Sequence, residues 1–100
     1  MEIKITRDKD QGRVEVIGDI DEKGAEVLKE KLKELLQCTE VVIDLGSVGY
    51  IGSSGIGKLL LFYKNVAVHG GKISITNLQP NLYTLFKELK LDTIFPITAR

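Results

Sequence analysis

Val41-Val42-Ile43-Asp44-Leu45-Gly46-Ser47-Val48-Gly49-Tyr50-Ile51-Gly52-Ser53-Ser54-Gly55-Ile56-Gly57-Lys58 is the stretch on which the fold turns. Its first five residues are too few for a helix and are apolar on both faces of an extended chain. They read as a central strand, covered on both sides or at least flanked by neighbours. Gly46 to Gly52 contains three glycines and reads as a loop. An apolar-rich helix is then expected from about Ser54 to His69, ended by Gly70-Gly71. Strand, glycine loop and helix in that order begin a βαβ unit.

The flanking segments extend this pattern. Ile3 and Ile5 alternate with Lys4 and Thr6, and Val14 and Val16 alternate in the same way across Asp8-Lys9-Asp10-Gln11-Gly12, which predicts a β-hairpin. Ala25, Leu28, Leu32, Leu35 and Leu36 recur at steps of three and four, the stripe of an amphipathic helix. Asp19 with Glu22 has capping-box spacing, and Asp21 competes for the same N-cap. After the second helix, Lys72-Ile73-Ser74-Ile75-Thr76 alternates as a strand. Pro80 suits the first turn of a third helix with Leu82, Leu85, Phe86 and Leu89 on one face. Phe95-Pro96-Ile97 is a short last strand that its proline confines to an edge. The order β-β-α-β-α-β-α-β predicts an α/β fold: a mixed, mostly parallel sheet with an N-terminal antiparallel hairpin and helices mainly on one face. No linker or repeat divides the chain, so residues 1–100 are expected to form one domain. Sites on such sheets lie at the carboxyl ends of the strands, here the loop after Leu45.

Composition narrows the function. Lys plus Arg equals Asp plus Glu at 14 each, so no global charge draws the chain to nucleic acid or an anionic membrane. No apolar run is long enough to span a bilayer, and Met1-Glu2-Ile3-Lys4 lacks the apolar core of a signal peptide. The single cysteine, Cys38, has no partner for an internal disulfide, and a cytoplasmic location is expected. One histidine, His69, and one cysteine exclude a Cys/His zinc cluster within the chain, and no metal or cofactor is expected.

Three chemistries compete for the glycine-serine loop. Gly52-Ser53-Ser54-Gly55-Ile56-Gly57-Lys58 matches G-x-x-x-x-G-K, the first seven positions of a phosphate-binding P-loop. The eighth should carry a magnesium-binding hydroxyl and is Leu59, and the strand ends well before Gly52 instead of directly at it. A serine-hydrolase elbow needs G-x-S-x-G and lacks its last glycine around Ser54. His69 would sit at the far end of a helix spanning about 24 Å, out of reach of Ser54. The simplest role for Ser53 or Ser54 is a helix N-cap. That place also suits phosphorylation, because a helix N-terminus carries partial positive charge and free N–H donors.

Val42-Ile43-Asp44-Leu45 followed by Gly46 to Gly57 resembles the core motif of the STAS domain, and within that family the bacterial anti-sigma factor antagonists. Their pattern is an apolar strand ending in Asp-Leu, a short loop with an aromatic, then Asp-Ser-Ser-Gly-Leu-Gly. The resemblance extends from the opening hairpin to Leu91-Asp92-Thr93-Ile94-Phe95-Pro96-Ile97. It implies a STAS fold and no catalysis. It implies binding to an anti-sigma factor that is also a serine kinase, so that a sigma factor is released. Phosphorylation of the second serine, here Ser54 with Ser53 as second choice, then dissolves the complex, and a PP2C-type phosphatase restores it. The partner-binding residues implied are Asp44, Gly52, Ser53, Ser54, Gly55 and Lys58. Gly52 stands where the family commonly has Asp. The family also contains signalling scaffolds and small-ligand- or nucleotide-sensing members, which form the alternative.

Other residues have plainer expectations. Asp44 is expected to cap the loop by accepting nearby N–H groups, and could also orient the Ser54 loop. Lys58 is expected in solvent on the first turn of its helix, or at the rim of a partner surface. Cys38 reads as a semi-buried filler, and His69 as a favourable group at a helix C-terminus. Ile56, Leu59, Leu60 and Tyr63 form the expected inward face of the second helix. Leu61 and Phe62 are left for the third helix to cover, or as an exposed contact patch.

Overall fold

Alternation along the strands decides which face of the sheet is buried. A computed structural model describes all residues, Met1–Arg100. Strands β1 (Glu2–Asp8) and β2 (Gln11–Ile17) form the antiparallel hairpin, with Ile3 opposite Val16 and Ile5 opposite Val14. Strands β3 (Glu40–Ser47), β4 (Lys72–Leu78) and β5 (Ile97–Ala99) add in parallel to give the order β1-β2-β3-β4-β5. Val14, Ile43 and Ile75 lie side by side in this register and are fully buried, as are Val16, Val41, Leu45 and Ile73. The opposite face carries Arg13, Glu15, Val42, Asp44, Ser74 and Thr76, none of them buried. The central strand is therefore flanked by neighbours on both edges and covered on one face only, and it runs to Ser47 instead of Leu45.

Three helices supply the other layer: α1 (Glu22–Leu32), α2 (Ser53–Val68) and α3 (Pro80–Glu88). Helix α1 buries Ala25, Leu28 and Leu32, and a 3₁₀ turn (Lys33–Leu35) continues its stripe to Leu35. Asp21 wins the N-cap, its Oδ1 accepting the Gly24 N–H at 2.7 Å. Asp19 lies too far upstream to reach that turn, so the capping box does not form.

Helix α2 buries Gly55, Leu59, Phe62 and Val66, spaced four, three and four apart. Phe62 therefore belongs to the inward face, where it lines the seam against Leu32 and Leu36 of the α1 layer, and it is not covered by α3. Ile56, Leu60 and Tyr63 flank that face half-buried, and Leu61 remains exposed, at 40%. Tyr63 meets Phe95 edge to face, ring centroids 5.8 Å apart.

Gly70, in left-handed conformation at φ 80°, follows the end of α2. Gly71 then passes so close to Cys38 O and Val66 Cγ1 that an added Cβ would lie 2.6 Å from each. Cys38 is fully buried. Helix α3 begins with Pro80 at its first turn and buries Leu82 and Phe86, while Leu89 stands exposed at its end. Pro96 precedes β5, and its carbonyl accepts the Ile75 N–H at 2.9 Å.

Candidate functional site

The carboxyl end of β3 leads into the loop that starts α2. Gly52 is the N-cap, with extended backbone (φ −84°, ψ 173°) and no side chain to offer. Ser53 and Ser54 are the first two helical residues, both exposed, and neither caps the helix. The first intrahelical bond runs from the Ile56 N–H to Gly52 O at 3.1 Å. The N–H groups of Ser53, Ser54 and Gly55 thus reach the helix end with no side-chain acceptor, where the helix dipole is positive. The expectation that a serine would fill the N-cap fails because the extended residue is one position earlier, at a glycine.

This loop is stitched to the segment before α1. Ile20 N–H donates to Tyr50 O at 2.9 Å and Gly52 N–H donates to Ile20 O at 3.0 Å, an isolated parallel bridge between Ile20 and Ile51. Both isoleucines are buried. They fix the identity of residue 55. A Cβ there would come within 2.7 Å of Ile51 Cγ1 and 2.8 Å of Ile20 Cγ2, so Gly55 lets α2 seat directly on the bridge. Its small size serves this packing and not access to the neighbouring hydroxyl. Tyr50, 55% exposed, stands beside Gly52: its hydroxyl would be 3.1 Å from a Cβ at that position. Tyr50 was not among the candidate residues, and its exposure beside two serines is what singles it out.

Asp44 anchors the loop from below. Oδ1 accepts the Gly46 N–H at 2.9 Å and Asn77 Nδ2 at 3.3 Å, and Oδ2 pairs with Arg13 Nη2 at 2.9 Å. One carboxylate thereby joins β2, β3 and β4 where the loop leaves the sheet. Gly46 is itself buried, and its carbonyl accepts Gln79 Nε2 at 3.1 Å and Arg100 Nη1 at 3.3 Å. Further along, Gly49 O accepts Asn81 Nδ2 at 3.1 Å. Asp44→Ala strands the buried Gly46 N–H and removes the ion pair to the exposed Arg13. It is expected to lower stability by about 1–3 kcal/mol in urea denaturation. Asp44→Asn, which keeps an oxygen for Gly46, is expected to lose less.

Lys58 is not a free solvated lysine. Its Nζ lies 3.2 Å from Glu26 Oε1, tying α2 to α1, and its side chain is only 25% exposed. Leu59 faces the core, where it can offer a metal nothing. Both facts remove the parts a P-loop needs from the end of the motif. Ser53, Ser54, Gly52 and Gly55 are brought together at the helix start, with Lys58 one turn further along. Asp44 stays at the foot of the loop, acting through Gly46. His69 is the C-cap of α2, at the opposite end of that helix from Ser54. The largest depression, about 410 Å³, is also at that far end, with Tyr63, Lys72, Ile73 and Phe95 among its lining.

Comparison with known proteins gives this geometry a family. The family model described as Mlab, STAS domain matches residues 3–97. The chain belongs to the STAS domain family. As a STAS domain it is 32% identical over 99 residues to the anti-sigma-B factor antagonist of Bacillus subtilis (strain 168), covering 98% of this chain and 91% of that one. Its fold superposes on the crystal structure of an anti-sigma factor antagonist from Mycobacterium paratuberculosis with a TM-score of 0.85. Identity there is 23%, over 99% of this chain and 86% of that one. It also superposes on the Bacillus cell fate determinant SpoIIAA in its phosphorylated form, with a TM-score of 0.78 and 16% identity over 99% and 92% of the two chains. The mixed sheet and helical layer expected for a STAS domain are thus present throughout. No helix of this STAS domain is long and apolar enough to cross a membrane.

Proposed function

We propose that this STAS domain is an anti-sigma factor antagonist, with residues 1–100 acting as one unit in the cytoplasm and no catalysis of its own. It binds an anti-sigma factor that is also a serine kinase, so that a sigma factor is released. Phosphorylation of Ser54 by that kinase ends the interaction, and a PP2C-type phosphatase resets it. The observation that carries this reading is the uncapped start of α2. Two exposed serine hydroxyls stand there on the first turn, among N–H groups that favour an added anion. The name of the Bacillus subtilis relative supports the partner class. In this reading Gly52, Ser53 and Ser54 form the contact surface, with Tyr50 as its aromatic anchor and Lys58 at its edge, while the buried Gly55 seats α2 beneath it and Asp44 positions the loop.

Gly52 bears on how a kinase reads the site. With no carboxylate at the N-cap and no acidic residue in the first turn, α2 itself presents no negative charge next to the hydroxyls. The test is a reconstitution of the purified protein with the anti-sigma kinase and ATP, followed by phosphopeptide mass spectrometry. One phosphate on Ser54 is expected, with Ser54→Ala bound but unlabelled. Labelling that persists in Ser54→Ala and vanishes in Ser53→Ala would overturn the assignment.

A further inference from the structure

We infer that a phosphate on Ser54 takes Lys58 from Glu26, so that the modification also unties α2 from α1. This rests on the reading of Ser54 as the modified residue. Ser54 and Lys58 are four residues apart on α2, neighbours on one helix face. Helical side chains lean toward the N-terminus, which aims the Lys58 stem at Ser54. In the unmodified chain Lys58 instead reaches across to Glu26, at 3.2 Å, whose own side chain is 62% exposed. That pair sets one carboxylate charge on a solvent-facing side chain against the lysine. A phosphoserine brings about −1.5 to −2 charge and three acceptor oxygens on the same helix as the lysine, one turn away. A single ammonium cannot serve both at full strength, and the more highly charged, local acceptor wins. Glu26 is not stranded by the exchange, because Lys29 lies three residues along its own helix and is in no ion pair. The seam that Lys58 lines, with Lys29, Leu32, Leu61 and Phe62, then loses its charged cross-tie while keeping its apolar contacts.

The exchange can be measured without a kinase by installing phosphoserine at position 54 during synthesis and following its second ionisation by phosphorus NMR. The phosphate in the wild-type background is expected to titrate about 0.3 pH unit lower than in Lys58→Gln, a roughly twofold difference in proton affinity. Glu26→Gln frees the lysine, so it should lower the wild-type midpoint further. It should do so less, or not at all, in the Lys58→Gln background. Asp19 and Asp21 in the segment before α1 and the other groups nearby are the same in every variant, so their fields cancel in the comparison. Melting curves of each variant check the fold, and Lys58→Arg should retain the wild-type midpoint. Equal midpoints in wild type and Lys58→Gln would overturn the exchange. So would a Glu26→Gln shift of the same size in both backgrounds. Failure of a kinase to label Ser54 would remove the proposed cellular switch and leave this titration result standing. An unmoved midpoint would remove the exchange and leave the switch standing.

Discussion

Ser54→Asp is expected to abolish binding to the anti-sigma factor while leaving the melting temperature at or slightly above the wild-type value. The two halves of this result have separate causes. Within the fold, position 54 is the second residue of α2 and exposed, so a carboxylate there meets the positive helix end and stabilises by about 0.3–1 kcal/mol. Across an interface the same charge must leave water. Without a basic group opposite, its desolvation costs several kcal/mol, and each ~1.4 kcal/mol weakens binding tenfold. Two such steps already give a hundredfold loss. Calorimetric titration against the anti-sigma factor, beside a thermal melt of the free protein, reads both quantities. An aspartate variant that binds as tightly as wild type would sink the proposed switch, and one that fails to fold would sink the account of how it works.

Phe86→Ala should have the largest effect on the fold itself. Phe86 is fully buried and is the largest completely enclosed side chain of the protein. Its truncation removes apolar contact and leaves a cavity, a loss of about 3–5 kcal/mol. For a chain of this size each kcal/mol moves Tm by roughly 4–8 °C, so a drop of more than about 12 °C is expected by circular dichroism. Leu89→Ala, three residues on at the end of α3, is the matched control. Leu89 is 48% exposed, and its loss should stay within about 0.5 kcal/mol. Similar melting temperatures for the two variants would mean that α3 does not pack as described.

Leu89 illustrates where sequence pattern stops informing. Helical spacing alone groups it with Leu82, Leu85 and Phe86, but α3 ends at Glu88, before the wheel returns to the core. The strands were legible because alternation is local: Ile3 and Ile5, Val14 and Val16, Ile73 and Ile75 all fall on the buried face their spacing predicts or on its margin. The helix starts were less so. Asp19 and Asp21 are both chemically able to cap α1, and only the path of the backbone chooses Asp21. Likewise, no feature of Gly52-Ser53-Ser54 announces that the extended residue is the glycine. Phe62 and Tyr63 differ by 100° around α2, and which one turns inward depends on the angle at which α2 lies on the sheet. The reach of Lys58 to Glu26 and the grip of Asp44 on Arg13 and Asn77 join residues more than thirty positions apart. Such contacts belong to topology, which one-dimensional spacing does not contain. The family motif drew attention to Ser53 and Ser54, which stand at the start of α2, while the role of Gly55 as a packing residue became visible only against Ile20 and Ile51.

The parallel bridge between Ile20 and Ile51 bears on how quickly and cheaply a partner can engage. Ordering a flexible recognition loop at the moment of contact costs about 1–2 kcal/mol per residue in backbone entropy. Here the segments before α1 and before α2 are already held in one piece, by two backbone bonds above and the Asp44 carboxylate below. On the proposed reading, a docking protein meets an epitope already held in one shape by these bonds. This chain then has little ordering left to do on association, and differences in affinity among variants of this epitope should appear in dissociation rates more than in association rates.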